Sequence, residues 1–268
     1  MTEINVLVPR KTKYDPDLAQ RINAEVPKKK KETIVGKLVG RERVITLPRV
    51  PDEWQPLDNE IVYRMKNKFI IDDGREFSKE LCDRPRSSWK AYPGGVVIET
   101  ECRDAGKVVE QHLIPYTWNQ GKKSSTLLYD GLFTDWDVCG DSVVVKTSHL
   151  NKMVEARNNT FLLHGKKILS IINDEPWQAT AMGIIIENNQ FFIMKELEGD
   201  ETFFPKSAQY GQWCACADGL VVQEQDALIY LGKRPHKKLY QGNALEWKCS
   251  PHYLVLRSDE KTFNFIPI

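Results

Sequence analysis

The sequence predicts an all-β fold of six like units closed into a ring, and three observations carry that prediction. Six of the seven tryptophans share one downstream pattern. Successive copies lie 35, 47, 41, 36 and 34 residues apart, enough for three or four short strands and their turns. The last copy stops short, while a strand-like segment near the start has no tryptophan of its own.

The copies read "WQPLDNEIVY" from Trp54, "WKAYPGGVVI" from Trp89, "WDVCGDSVVV" from Trp136, "WQATAMGIII" from Trp177, "WCACADGLVV" from Trp213 and "WKCSPHYLVL" from Trp247. In each, the residues at +7, +8 and +9 are apolar, from Ile61-Val62-Tyr63 in the first to Leu254-Val255-Leu256 in the last. Continuous apolar triplets, rather than alternation, indicate strands covered on both faces. The copy at Trp213 shows the order within a unit. "WCACA" is a short segment of small residues, "GLVVQEQ" a β-branched strand, "ALIYLGK" a second strand after a turn around Asp226, and "KKLYQGNALEW", which leads to the next tryptophan, is expected to hold an outer one. The copy at Trp177 repeats the order with "GIIIENN", "QFFIMKE" and "ETFFPKS", and Asn188-Asn189 supplies residues that tolerate positive φ at a hairpin turn.

Such a unit is the blade of a β-propeller. Small residues at +2 (Pro56, Ala91, Val138, Ala179, Ala215 and Cys249) suit a strand crowded at the axis, so +1 to +4 is placed innermost and the triplet next out. Each repeat Trp then sits between neighbouring blades. "SPHYLVLRSDEKTFNFIPI" (250–268) reads as two strands joined by Asp-Glu-Lys, too few for a stable sheet. Its partner is expected in "ETIVGKLVGRERVITLPRV" (32–50), read as a hairpin, so that N- and C-terminal strands close the sixth blade. The expected domains are an N-terminal arm over 1–31 and a propeller over 32–268. A β-sandwich, or two small β-domains, is the competing fold, but it does not account for a sixfold Trp frame. The run of triplet, turn, strand and outer segment ending in Trp resembles β-propellers, loosely those of the quinoprotein type. WD40, Kelch, YWTD and sialidase signatures are not repeated.

Residues 1–31 lie outside the ring. Asp17 is a candidate cap for a short helix in which Leu18, Ile22 and Val26 recur at helical spacing, and Lys28, Lys29, Lys30 and Lys31 follow. Three readings stand: a solvated linker, an arm docking on a neighbouring protein subunit, or a nucleic-acid contact through the lysine run, which attracts phosphate without reading sequence. The extra segment before Trp136 holds "IPYTW". There Tyr116 and Trp118 are candidates for a contact surface, the alternative being an outer strand packed under its own blade.

Little chemistry is named. Net charge is +1, and no run of apolar residues is long enough to span a bilayer, so no membrane partner is expected. The start lacks the apolar region of a signal peptide. Reduced thiols are expected for Cys82, Cys102, Cys139, Cys214, Cys216 and Cys249. Cys214-x-Cys216 has no second pair at zinc-like spacing, and the small cysteines near the axis read as packing. Histidines 112, 149, 164, 236 and 252 fall in no nucleophile or metalloprotease motif. No catalytic residue, metal ligand or cofactor is assigned, although Asp137, Glu187 and Glu224 are possible axial carboxylates. The leading expectation is a non-enzymatic structural or binding subunit of a larger assembly, located in the cytoplasm or, if viral, in a host cytoplasm or virion. Small propellers with arms are similar to components of bacteriophage tails and nozzles. The alternative is an enzyme or ligand binder with its site at the axial mouth.

Overall fold

A computed structural model describes residues 43–79, 88–104, 107–118, 128–151, 156–163, 166–171, 174–197, 199–242 and 244–268. They form 24 strands in six four-stranded antiparallel sheets, the expected six-bladed propeller, with no helix among them. From inner to outer strand, blade 1 is Glu53–Leu57, Glu60–Met65, Lys68–Ile71 and Glu76–Ser78. Blade 2 is Trp89–Tyr92, Gly95–Asp104, Lys107–Thr117 and Tyr129–Asp130. Blade 3 is Asp135–Cys139, Ser142–Asn151, Ala156–Leu163 and Lys166–Ile171. Blade 4 is Trp177–Ala179, Gly183–Glu187, Phe191–Glu196 and Glu201–Pro205. Blade 5 is Tyr210–Cys216, Gly219–Glu224, Ala227–Gly232 and Lys237–Gln241.

Blade 6 takes Glu246–Cys249, Tyr253–Arg257 and Thr262–Pro267 from the C-terminal end and its outer strand, Arg43–Thr46, from the N-terminal end. Arg43 opposes Phe265 and Thr46 opposes Thr262. The closure is therefore three strands plus one. Residues 32–42 of the expected front hairpin lie outside the described residues. Arg43 also ties the closing strand to blade 1, donating to the Asn59 carbonyl at 2.5 Å and to Asp72 at 2.6 Å. The Asp-Glu-Lys turn is held by Asp259, whose carboxylate accepts the backbone N–H groups of Lys261 and Thr262 at 2.8 and 2.9 Å. Those bonds pull its pKa below the usual carboxylate range.

The triplet rule has a packing reason. All eighteen residues at +7, +8 and +9 are less than 5% exposed. Alternate side chains on a strand face opposite ways. Here +7 and +9 enter the seam with the preceding blade, and +8 enters the seam with the following one. Ile61 and Tyr63 thus join Val255, Phe263 and Phe265 of blade 6, while Val62 joins Val96 and Ile98 of blade 2. Six seams give six apolar clusters. Burying each Val, Leu or Ile contributes about 1.5–3 kcal/mol. The repeat tryptophans join these clusters: Trp54 meets Phe263 edge-on at 4.9 Å, Trp89 meets Phe69 at 5.1 Å and Trp177 meets Phe161 at 5.0 Å.

Two sequence readings need correction. At Asn188-Asn189 the turn is made by the Asn188 side chain, which accepts the N–H groups of Gln190 and Phe191 at 2.9 and 2.7 Å. The described non-glycine residues with positive φ are instead Asp58, Lys66 and Gln225. Tyr116 and Trp118 do not form an exposed contact loop. They are 6% and 4% exposed and seal the outer part of the blade 1–2 seam against Phe77, with ring centroids 6.2 and 5.6 Å away.

The alternation of strands gives the ring two faces. First–second and third–fourth turns lie on one, second–third turns and the outer-to-inner connections on the other. The middle strands of blades 2 and 3 run to 8–11 residues against four to six elsewhere, and the extra length lies toward the second face. Exposed Val50, Leu132 and Leu245 sit on outer-to-inner connections of that same face.

Candidate functional site

The axis is built by the innermost strands. With the repeat Trp turned into a seam, strand alternation sends the +1 residue inward: Gln55, Lys90, Asp137, Gln178, Cys214 and Lys248. They line a cavity of about 360 Å³, rimmed by Leu57, Gly140 and Pro251 on the first face.

Each +1 side chain reaches the next inner strand. Gln55 donates to the Trp89 carbonyl at 2.8 Å and accepts the Ala91 N–H at 3.1 Å. Gln178 repeats this one half-turn away, with the Trp213 carbonyl at 3.1 Å and the Ala215 N–H at 2.8 Å. Lys90 pairs with Asp137 at 2.8 Å, and Asp137 accepts the Ala179 N–H at 2.9 Å. Cys214 Sγ accepts the Cys249 N–H at 3.1 Å. Lys248 donates to the Trp54 carbonyl at 2.7 Å and completes the circuit. The Asp137 carboxylate raises the Lys90 pKa against the opposing effect of burial, so the ammonium stays charged. A hydrogen bond from the Cys249 thiol draws the Cys214 pKa down, while burial pushes Cys249 and Cys139 up and Cys216 to about 12.

Cys214 therefore faces the axis with Cys249 of the next blade, and Cys216 is buried in the blade 5–6 seam. Among the described residues, no group of three or more His, Cys, Asp or Glu side chains converges to hold a metal ion. Of the three carboxylates considered axial, only Asp137 lines the cavity; Glu187 points into a seam. Leu18, Ile22, Val26 and Lys28–Lys31 lie outside the described residues.

A second polar set escaped the sequence reading. In five seams, the Trp indole donates to a carboxylate on the preceding blade. Trp54 bonds Glu246 at 2.5 Å, Trp136 bonds Glu99 at 3.2 Å, Trp177 bonds Asp135 at 3.0 Å, Trp213 bonds Glu187 at 2.6 Å, and Trp89 bonds Glu53. Every acceptor is at −1 or +10 relative to its own blade's Trp. These two positions face each other across the first ladder, as Glu53 faces Arg64 and Glu246 faces Arg257. Burial raises the Glu246 pKa, but the Trp54 indole with Lys248 and Arg257 outweighs it, and the net shift is downward. The signal was present as one acid in five of the six −1/+10 pairs, but it has meaning only once the register is known.

No family model and no curated protein matches the chain. Among solved structures it is similar to BamB from Moraxella catarrhalis, at 10% identity and a TM-score of 0.34, over 87% of this chain and 100% of that one. That superposition is too loose to align individual side chains.

Proposed function

We propose that this propeller is a non-enzymatic binding scaffold, a subunit of a larger assembly. The observation that supports it is the axial circuit. The six side chains best placed to meet an axial ligand are bonded instead to the adjacent inner strands, where they brace the ring. A braced ring holds its loops rigid, and a rigid surface loses little entropy on binding. The second face, with the long middle strands of blades 2 and 3 and exposed Val50, Leu132 and Leu245, is the surface we assign to protein partners. We further propose that residues 1–31 are a docking arm, its partner covering Leu18, Ile22 and Val26 or pairing Lys28–Lys31. By the resemblance of small armed propellers to phage tail and nozzle parts, the assembly proposed is a virion tail, met in the host cytoplasm.

The test is a truncation. Ordering an arm costs about 1–2 kcal/mol per residue in backbone entropy, a cost that contact with a partner would have to offset. Deleting residues 1–31 is expected to leave the melting temperature of the ring unchanged and to weaken co-sedimentation with the parent assembly. Deleting through residue 47 removes the outer strand of blade 6 and is expected to unfold the ring. Assembly that is indifferent to the first deletion would refute the arm.

A second reading, a small anionic ligand in the axial cavity, draws on Lys90 and Lys248, which outnumber Asp137 among the +1 residues. Changing Lys90 and Lys248 together to Met separates the two. Loss of a copurifying anion with partner binding intact favours the ligand.

A further inference from the structure

Blade 5 breaks the indole rule. The −1/+10 pair carries one carboxylate in every other blade. It is an acid at −1 opposite a base in blades 1, 3 and 6 (Glu53/Arg64, Asp135/Lys146, Glu246/Arg257), and an acid at +10 with no base at −1 in blades 2 and 4 (Ser88/Glu99, Pro176/Glu187). In blade 5 both positions are glutamine, Gln212 and Gln223. Trp247, the indole that would use this pair, has no acceptor among the described residues.

Two further observations fall on the same place. A cavity of about 240 Å³ opens there, lined by Gln212, Gln223, Leu245 and Trp247 and also by the acidic residues Asp226 and Glu246. The first ladder of blade 5 shifts register between Tyr210 and Trp213, whereas the first ladders of the other five blades run without a shift. Such bulges re-aim side chains and are frequent beside binding sites. This one takes Gly211 and Gln212 out of the ladder at the pocket edge.

We propose that the blade 5–6 seam is a binding pocket for a single carboxylate, supplied by a ligand in place of the acid that blade 5 lacks. The donor inventory fits. The indole has only a donor, each carboxamide has an NH₂ group, and an ionised carboxylate has only acceptors. Gln223 spends one donor on the Gln225 carbonyl at 3.3 Å and keeps another. No cation is required. Glu99, 6% exposed, is held in the blade 2–3 seam by the Trp136 indole at 3.2 Å, the Ser88 hydroxyl at 3.2 Å and the Gln111 amide at 3.4 Å. Nearby charge sets the selectivity. Glu246 is turned to Trp54, Lys248 and Arg257, and Asp226 accepts from Gln241 at 3.4 Å. Both line the cavity; Lys248 and Arg257 offset the charge of Glu246, which leaves room for one carboxylate and disfavours a second negative charge. Leu245, 68% exposed at the rim, favours an apolar group beside the carboxylate. The site therefore fits a monocarboxylate with an apolar flank, either a small acid or a lone acidic side chain on a peptide. It stands independently of the scaffold reading.

The full chain, labelled with ¹⁵N at tryptophan, reports each indole N–H separately, and Trp247→Phe identifies one signal. Titration with sodium propionate is expected to move the Trp247 signal downfield and saturably while the other six stay in place. Propionamide, of the same shape without charge, is expected to leave it still. Gln223→Glu, with Gln212→Glu as a second version, fills the pocket from within and is expected to weaken propionate binding at least tenfold. A blocked peptide with one Glu between leucines distinguishes the sources: at least tenfold tighter binding than propionate points to a polypeptide, equal binding to a small acid. A Trp247 signal that ignores propionate, follows propionamide equally, or titrates unchanged in both glutamate variants overturns the proposal.

Discussion

The seam between blades 4 and 5 and the seam between blades 5 and 6 are made from the same repeat positions and finished differently. Both have an apolar layer in which +7 and +9 of one blade meet +8 of the other. At the first, Gln178 bridges two backbone groups at the axis, and the Trp213 indole is anchored on Glu187, which Lys206 also holds at 2.5 Å. At the second, a cysteine stands at the bridging position, two glutamines stand where the acid belongs, and a cavity lies between them. The ring closes all the same. The apolar layer is thus the common requirement, and the polar bonds on either side of it can be exchanged seam by seam.

The largest expected effect strikes the apolar layer that these two seams share with the other four. Trp54→Ala removes a buried ring and leaves Glu246 without its indole, and a loss of about 3–5 kcal/mol is expected from chemical denaturation. Trp118→Ala, taken from the middle of an aromatic cluster, is expected to cost a similar amount. A loss below about 1 kcal/mol would contradict its place in the blade 1–2 core.

The next effect strikes what differs. Glu187→Gln weakens a charge-assisted bond and the Lys206 pair, with an expected loss of about 1.5–3 kcal/mol. Gln223→Glu is the reverse experiment in the neighbouring seam and should raise the melting temperature. If both changes destabilise equally, the two seams are not versions of one design.

Acid offers a third comparison. The Glu246 pKa is lowered in the fold, so its contribution is fully present above the ordinary carboxylate range and is lost as pH falls through the folded value. The difference in melting temperature between wild type and Glu246→Gln should be largest near neutrality and vanish in acid. A constant difference would mean that its charge has no part in the closing seam.

The smallest effect is expected at the axis. Gln178→Ala loses two neutral bonds to backbone and should cost about 1–3 kcal/mol in total, whereas Cys214→Ala loses one weak sulfur contact and should cost less. Equal costs would remove the axial half of the contrast.

By itself the sequence determined the number of blades, the place of the inner strand and the mixed closing blade. Each follows from short-range regularities, namely a Trp, small residues behind it and an apolar triplet at a set distance. Strand alternation and double-sided burial demand these locally, whatever the remainder of the chain does. Only the tertiary structure decided which polar groups meet. Glu246 and Trp54 are 192 residues apart and Cys214 and Cys249 are 35 apart, and each pair is joined by ring curvature and register. The same curvature turned Asp137 to the axis but Glu187 into a seam. It also carried Tyr116 and Trp118 under the outer strand of blade 1. Side chains that look alike in the linear pattern are separated by which neighbouring blade they face, and that is settled only when all six blades close around one axis.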